Sequence, residues 1–489
     1  METANKVVEN PAEENNSKKL GFGLLVALGV GSMIGGGIFN SPRNLISGTN
    51  PQAAVIAWIL GGLGVMFLAL NFQLLANARP GLTGGIFTYA KEGFGDLTGF
   101  NSAWGYWLSA WLGNVAFIVM IFQAFNTLTG NIDPQTGANT NPWLTFILAS
   151  ALLWILHFVQ TIGTKNASVI NAIATVAKVI PLIMVVVLGI TVFSSSTFNV
   201  ANWTSKLAAS GDSTTTFGQI SSAMNTILWC FIGVEAATVL SARSKSQKIV
   251  GAATIASTLL TLALYMLVSL ISMGVVDAKT LSNSNVPLAD VFAKTVIGSA
   301  GGVIVEIGII ISLVGGLISW IMLAAEIMSV AAQGDTMPAW FKKENKNGVP
   351  TNALLLTDIL TQVFLLSFLM PSLKAAYDSA YAISTCCIIV PYLFSAMYSV
   401  KVCAEDKLPA KDKAIAVLGC IYALFVLYAN GPKLIGETLI LYAVGLVIFI
   451  WSKKEHKQKI SKSEVVSMCI IGALGVMMVA LLGTGVISV

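Results

Sequence analysis

Glu235 is a single carboxylate set in an apolar run, Trp229-Cys230-Phe231-Ile232-Gly233-Val234-Glu235-Ala236. A charge deep inside an apolar segment is expensive, and a carboxylate kept there is a functional residue by default. Far upstream, Gly31-Ser32-Met33-Ile34-Gly35-Gly36-Gly37-Ile38-Phe39 puts three consecutive glycines into another apolar run. Each interior glycine disfavours helix by about 1 kcal/mol relative to alanine, so this helix is expected to unwind there. Unwound backbone offers N–H and C=O groups to polar ligands without making a covalent bond. Bond-making chemistry lacks its parts. His157 and His456 are the sole histidines, and Cys230, Cys386, Cys387, Cys403, Cys420 and Cys469 follow no metal-ligand spacing. The cysteines read as buried small hydrophobes. No metal, no cofactor and no enzymatic centre is expected; the chemistry is recognition.

The elements that must hold these residues follow from composition. Of the 489 residues, 55% are hydrophobic and only 10% are charged, against about 25% charged in a soluble domain. One large soluble domain is excluded, and so is intrinsic disorder, which needs low hydrophobicity and high charge. A polytopic all-α membrane protein remains. The net charge of +5 is small, and no basic face for nucleic acid is present. Apolar stretches of spanning length, about 20 residues, fall near 21–42, 53–75, 98–127, 143–162, 168–193, 217–241, 250–275, 299–332, 352–371, 377–401, 412–429, 434–452 and 466–488. That is thirteen segments, or twelve if the last is an appendage behind a charged stretch.

Orientation follows from lysine and arginine in the short loops. With residues 1–18 taken as a cytoplasmic tail and not a signal peptide, the inside loops carry Arg79, Lys91, Lys342, Lys343, Lys401, Lys453 and many others. The outside loops carry only Arg43, Lys206, Lys279, Lys294, Lys374 and Lys433. Spans one and six are the two broken ones. Interrupted segments at matching places of two five-helix halves point to a transporter with inverted repeats, whose irregular backbone lines a cavity. The expected divisions are 19–193 and 217–401 for the repeats and 412–489 for additional helices.

Five motifs in order along the chain carry a resemblance: GSMIGGGIFNSP (31–42), GGIFTYAKEGFGDLTGFNSAWGYWLSAWLGNVAF (84–117), WCFIGVEAATVLSARS (229–244), SLVGGLISWIMLAAE (312–326) with GDTMP (334–338), and VPYLFS (390–395). The sequence resembles the amino acid–polyamine–organocation superfamily, within it the basic amino acid/polyamine antiporters, and its third-span motif looks most like the arginine/ornithine antiporters. The resemblance implies a five-plus-five inverted-repeat, LeuT-like transporter fold with 12–13 transmembrane helices. It also implies alternating access without ATP in a bacterial cell membrane, amino acid or amine substrates, and a bilayer as surroundings. A homodimer is compatible with it.

An amino acid bound between spans one and six needs donors for its carboxylate and acceptors for its ammonium. Freed N–H groups at a half-helix N-terminus supply the donors with a favourable dipole. Gly35, Gly36 and Gly37 suit that role, with Ser32 adding a hydroxyl. Carbonyls released near Cys230, Phe231 and Ile232 suit the ammonium. By resemblance, Glu235 matches a gating glutamate, and Trp229 lies over the cationic part of the substrate. Trp320, 18 residues before Pro338, matches an intracellular-side gate. Tyr392 joins a proximal gate with Tyr89 as its companion, and Asn114 and Ser384 match polar contacts to the substrate side chain. Glu326 departs from the family pattern and reads either as a vestibule carboxylate or as the partner of a loop lysine. Glu306, Asp358 and Glu437 read as structural, and His157 as a packing hydrogen bond.

The implied function is exchange of a cationic amino acid, arginine foremost, for its metabolic product, ornithine foremost. Lysine or ornithine against a diamine, arginine against agmatine, histidine against histamine, and proton-coupled uptake on the same fold stay open. A channel would show rings of charge or a repeated filter, and neither appears.

Overall fold

The computed structural model describes residues 21–82, 85–133, 138–163, 167–235, 247–370 and 373–484. The expected tail, 1–18, and the end of the span-six motif, 236–244, lie outside the described residues. The helices are α1 (Phe22–Met33), α2 (Gly37–Ile46), α3 (Pro51–Ala78), α4 (Ile86–Phe94), α5 (Asp96–Leu128), α6 (Pro142–Ile162), α7 (Ala167–Thr191) and α8 (Thr216–Cys230). They continue with α9 (Gln247–Val275), α10 (Ser299–Gln333), α11 (Thr351–Phe364), α12 (Leu373–Glu405), α13 (Ala410–Ala429), α14 (Gly431–Glu455) and α15 (Lys462–Gly483). Each of the thirteen apolar segments overlaps one of them, α1 and α2 sharing the first.

Among the described residues, ten helices are long and apolar enough to cross a membrane, and the bent pair α1–α2 makes an eleventh. Helix α7 runs 25 residues, Ala167–Thr191, and α8 stops after 15 residues at the span-six break. Local signals set the ends. Asn141 accepts from the Leu144 N–H ahead of Pro142, and Ser461 and Glu464 form a reciprocal capping box at α15, each closing N–H groups that a helix start leaves open.

Two packed bodies face one another. In the first, α1, α2, α3, α8 and α9 pack together. In the second, α5 runs along α10 and α12 and is buried along nearly its whole length. Helix α12 lies at the seam, packed on α5 and also on α3 and α8. Helix α7 bridges α9 and α10, and the C-terminal helices α13 and α14 close over α3, α5 and α12. The outer helices turn Ile155, Phe158, Ile162, Val447 and Val476 outward, as lipid-facing surface requires. Asp358 and His157, expected as separate structural groups, pair with each other between α6 and α11: His157 Nδ1 is 2.7 Å from Asp358 Oδ2.

A broken-helix carrier site

The first break separates α1 from α2 by a bend of 50°. It falls at Ile34–Gly36, and Gly37 already opens α2. The carbonyls it frees are occupied. Tyr265 Oη donates to Met33 O at 2.7 Å. Lys178 Nζ donates to Ile34 O at 2.8 Å and reaches Gly31 O at 3.3 Å. Lys178, 6% exposed, is a site residue that the sequence reading missed; its signal was a lone lysine inside the fifth apolar segment. At the start of α2 the Phe39 N–H closes onto Gly36 O at 3.2 Å, and the first turn carries the positive end of the helix dipole.

The second break follows α8. Phe231–Glu235 form a turn in which Gly233 takes φ +105°. A Cβ on Gly233 would stand 2.6 Å from Ser32 O, so only glycine lets the two broken segments touch. At Gly37 a Cβ would lie 2.7 Å from Trp229 Cδ1 and 3.1 Å from Cys230 Cα. These two glycines are thus required by close approach as well as by unwinding.

Between the breaks lies a small cavity. Gly35, Gly36, Gly37, Trp229 and Ile232 form one wall. Ser109, Gly113, Phe117 and Trp320, from α5 and α10, form the other. The Trp229 ring meets Phe117 edge-on at 6.2 Å and leans on Tyr381 at 6.1 Å, and its Nε1 has no hydrogen-bond partner among the described residues. Asn114, next to Gly113, is fully buried, and neither end of its amide has a partner among the described residues. Buried amides are almost always bonded, so Asn114 is a group held ready for a ligand or water.

Other expected site residues stand elsewhere. Ser32 spends its hydroxyl on Gly29 O at 2.8 Å and is not part of the cavity wall. Cys230 is the last residue of α8, buried beside the wall but not on it. The Phe231 carbonyl accepts from the Val234 N–H at 3.1 Å, and its buried ring lies 5.3 Å from Tyr265. Ser384 Oγ donates to Ser109 O at 2.7 Å and backs the wall from behind. Trp320 lines the cavity. Glu326 is exposed.

Glu235 is buried and multiply bonded. Tyr106 Oη donates to Oε1 at 2.8 Å, Tyr392 Oη donates to Oε2 at 2.5 Å, and Gly233 N–H reaches Oε2 at 3.0 Å. The expected companion of Tyr392 was Tyr89. That residue instead stacks on Tyr398 at 6.3 Å in a separate cluster with Leu75 and Val402. The companion is Tyr106, one of several aromatics in the third-span motif that sequence spacing alone did not single out. The three elements, α5, α12 and the span-six turn, are thereby tied at one carboxylate by charge-assisted bonds, the strong kind.

Two helices broken at facing positions around an enclosed cavity, inside a bundle of membrane-spanning helices, define a membrane carrier. The chain belongs to the amino acid permease family, which matches residues 20–450, and it is a transporter rather than an enzyme. It is similar to an arginine/ornithine antiporter of Pseudomonas aeruginosa, 38% identical over 475 residues that cover 94% of this chain and 97% of the relative. Two arginine/ornithine antiporters of Lactococcus lactis subsp. cremoris are 33% identical, covering 96% of this chain and 90% of the relative, and 32% identical, covering 97% of each.

Proposed function

We propose that this protein exchanges arginine for ornithine by alternating access across a bacterial cell membrane, with its amino terminus and the Arg79 end of α3 in the cytoplasm. The observation that carries the reading is the Trp229 indole on the cavity wall, its Nε1 without a partner among the described residues; the unbonded Asn114 amide follows the lining Gly113 by one residue. The substrate carboxylate meets the α2 N–H groups at Gly35–Gly37. The carbonyl at Ile232 faces the ammonium. The distal cation of arginine or ornithine lies over Trp229, a contact of about 0.5–2 kcal/mol, and donates to the Asn114 amide oxygen. Both substrates carry the same two charged ends, so one site serves both and the exchange moves no net charge. The names of the similar proteins support this substrate pair, and the excess of lysine and arginine on alternate loops supports the orientation. Glu235, Tyr106, Tyr392 and Trp320 close the path on one side of the substrate. The halves 19–193 and 217–401 act as the two repeats, with 412–489 as a supporting appendage.

Counterflow in sealed liposomes tests it. Purified carrier loaded with ornithine takes up labelled arginine rapidly, and empty vesicles take up little. Equal uptake into empty vesicles would exclude exchange. Faster uptake against lysine, histidine or putrescine than against ornithine would reassign the pair.

A further inference from the structure

Helix α12 carries an arginine–carboxylate pair at each end, and both arginines come from the facing body. At one end Arg43 of α2 donates through Nη2 to Asp378 Oδ1 at 2.6 Å. Arg43 is 1% exposed, and its guanidinium sits 5.0 Å over the Tyr377 ring. Tyr377 stacks on Tyr381 at 5.1 Å, and Tyr381 leans on Trp229 at 6.1 Å. Three rings thus connect this ion pair to the cavity wall. At the other end, Arg79, which closes α3, holds Asp406 just past α12 with Nη1–Oδ2 at 2.6 Å and Nη2–Oδ1 at 3.2 Å. Glu405 Oε2 stands 3.7 Å from Arg79 Nη2. The difference lies in the arginines: Arg79 is 26% exposed and Arg43 1%, while both carboxylates are partly exposed, Asp406 37% and Asp378 42%.

We propose that these pairs form a two-ended ionic clamp on the seam helix, and that the transport cycle releases one end at a time. The proposal rests on the alternating-access reading. The two bodies can part on the Arg43 face only if Arg43 leaves Asp378, and on the opposite face only if Arg79 leaves Asp406. Both pairs are formed in this structure. The ends are unequal. Losing a partner leaves Arg43 a buried charge without compensation, a large penalty, whereas the solvated Arg79 pair contributes little. The Arg43 end is therefore the tighter lock.

The test reads accessibility on the two faces separately. The six native cysteines are changed to serine, and Ser109→Cys places one thiol on the cavity wall. A membrane-impermeant thiosulfonate is then added to either side of oriented liposomes. Asp378→Asn is expected to raise labelling from the Arg43 face about tenfold and to lower it from the other. Asp406→Asn is expected to do the reverse, by no more than about fivefold. Asp406 is on the surface, so its variant reads out even if Asp378→Asn fails to fold, and the swap Arg79→Asp with Asp406→Arg should restore the original ratio. Shifts of the same sign in both variants, or an unchanged ratio in Asp406→Asn, would overturn the clamp. Labelling needs no substrate, so a wild-type carrier that fails in counterflow would sink the exchange reading while leaving these rates readable.

Discussion

The two broken segments solve one problem in opposite ways. At the span-one break the freed carbonyls are bonded by side chains from outside the segment, Lys178 and Tyr265, and Gly35–Gly37 line the cavity. At the span-six break the segment is held through its own carboxylate, Glu235, which gathers Tyr106, Tyr392 and the Gly233 N–H. One break is braced by a fixed cation and presents donors; the other is braced by a fixed anion and stands beside acceptors. Under the proposed exchange, the substrate's carboxylate is assigned to the first break and its ammonium to the second. The comparison also changes how Glu235 is understood. A bare buried carboxylate would by itself hinder the empty carrier from reorienting. Three donors already stabilise this one, so its part is to tie α5, α12 and the span-six turn together.

Removing the cation of the first brace has the largest expected effect. Lys178→Met leaves the Ile34 and Gly31 carbonyls without their donor, at about 1–3 kcal/mol each. Exchange should fall at least a hundredfold in counterflow while the purified carrier stays monodisperse. If Lys178→Met exchanges normally, the brace at span one is ornamental and the contrast fails.

Glu235→Gln keeps the shape of the second brace and removes its charge. Hydrogen bonds to charged groups contribute about 1.5–3 kcal/mol against about 1 kcal/mol for neutral ones, so exchange should drop roughly ten- to a hundredfold. Tyr106→Phe and Tyr392→Phe should each give a smaller loss. Because both phenols serve one carboxylate, the double variant should fall short of the sum of the singles, measured as a double-mutant cycle. Strict additivity would mean that the cluster does not act as a unit.

Trp229→Leu touches neither brace and acts on the substrate cation. Its KM for arginine should rise by up to about thirtyfold, the equivalent of a cation–π contact of up to about 2 kcal/mol, with little change in maximal rate. Equal losses in KM and rate would place Trp229 in the gate instead. The smallest effect is expected at Tyr89→Phe. Tyr89 stacks with Tyr398 away from the cavity, so exchange should stay within about twofold of wild type, in the range of surface changes. A loss as large as that of Tyr106→Phe would restore Tyr89 to the gate.

Much of this was legible along the chain. The glycine triplet and the lone Glu235 located both breaks, because each violates the rule that an apolar helix satisfies its own backbone. Gly35–Gly37 came from the residues themselves, and Trp229, Trp320 and Asn114 from motif resemblance; all but Asn114 line the cavity, and Asn114 lies next to its wall. The misreadings share one cause. Tyr89 and Tyr106 both belong to the third-span motif, but they lie on different helices, α4 and α5, and the turn at Gly95 sends them apart. Ser32 is one turn from the break, where a serine hydroxyl can bond back to its own helix, and here it does.

The sequence by itself determined the membrane class, the thirteen helical segments and the positions of the two breaks. These depend on local quantities: apolar length, glycine content and a charge out of place. Only the tertiary structure decided which polar groups are already satisfied. Lys178 reaches the first break from 144 and 147 residues away, and Tyr392 reaches Glu235 from 157 away. Hydrogen bonding needs contact within about 3 Å, and contacts between distant segments are set by how the helices pack, which no local pattern in the chain encodes.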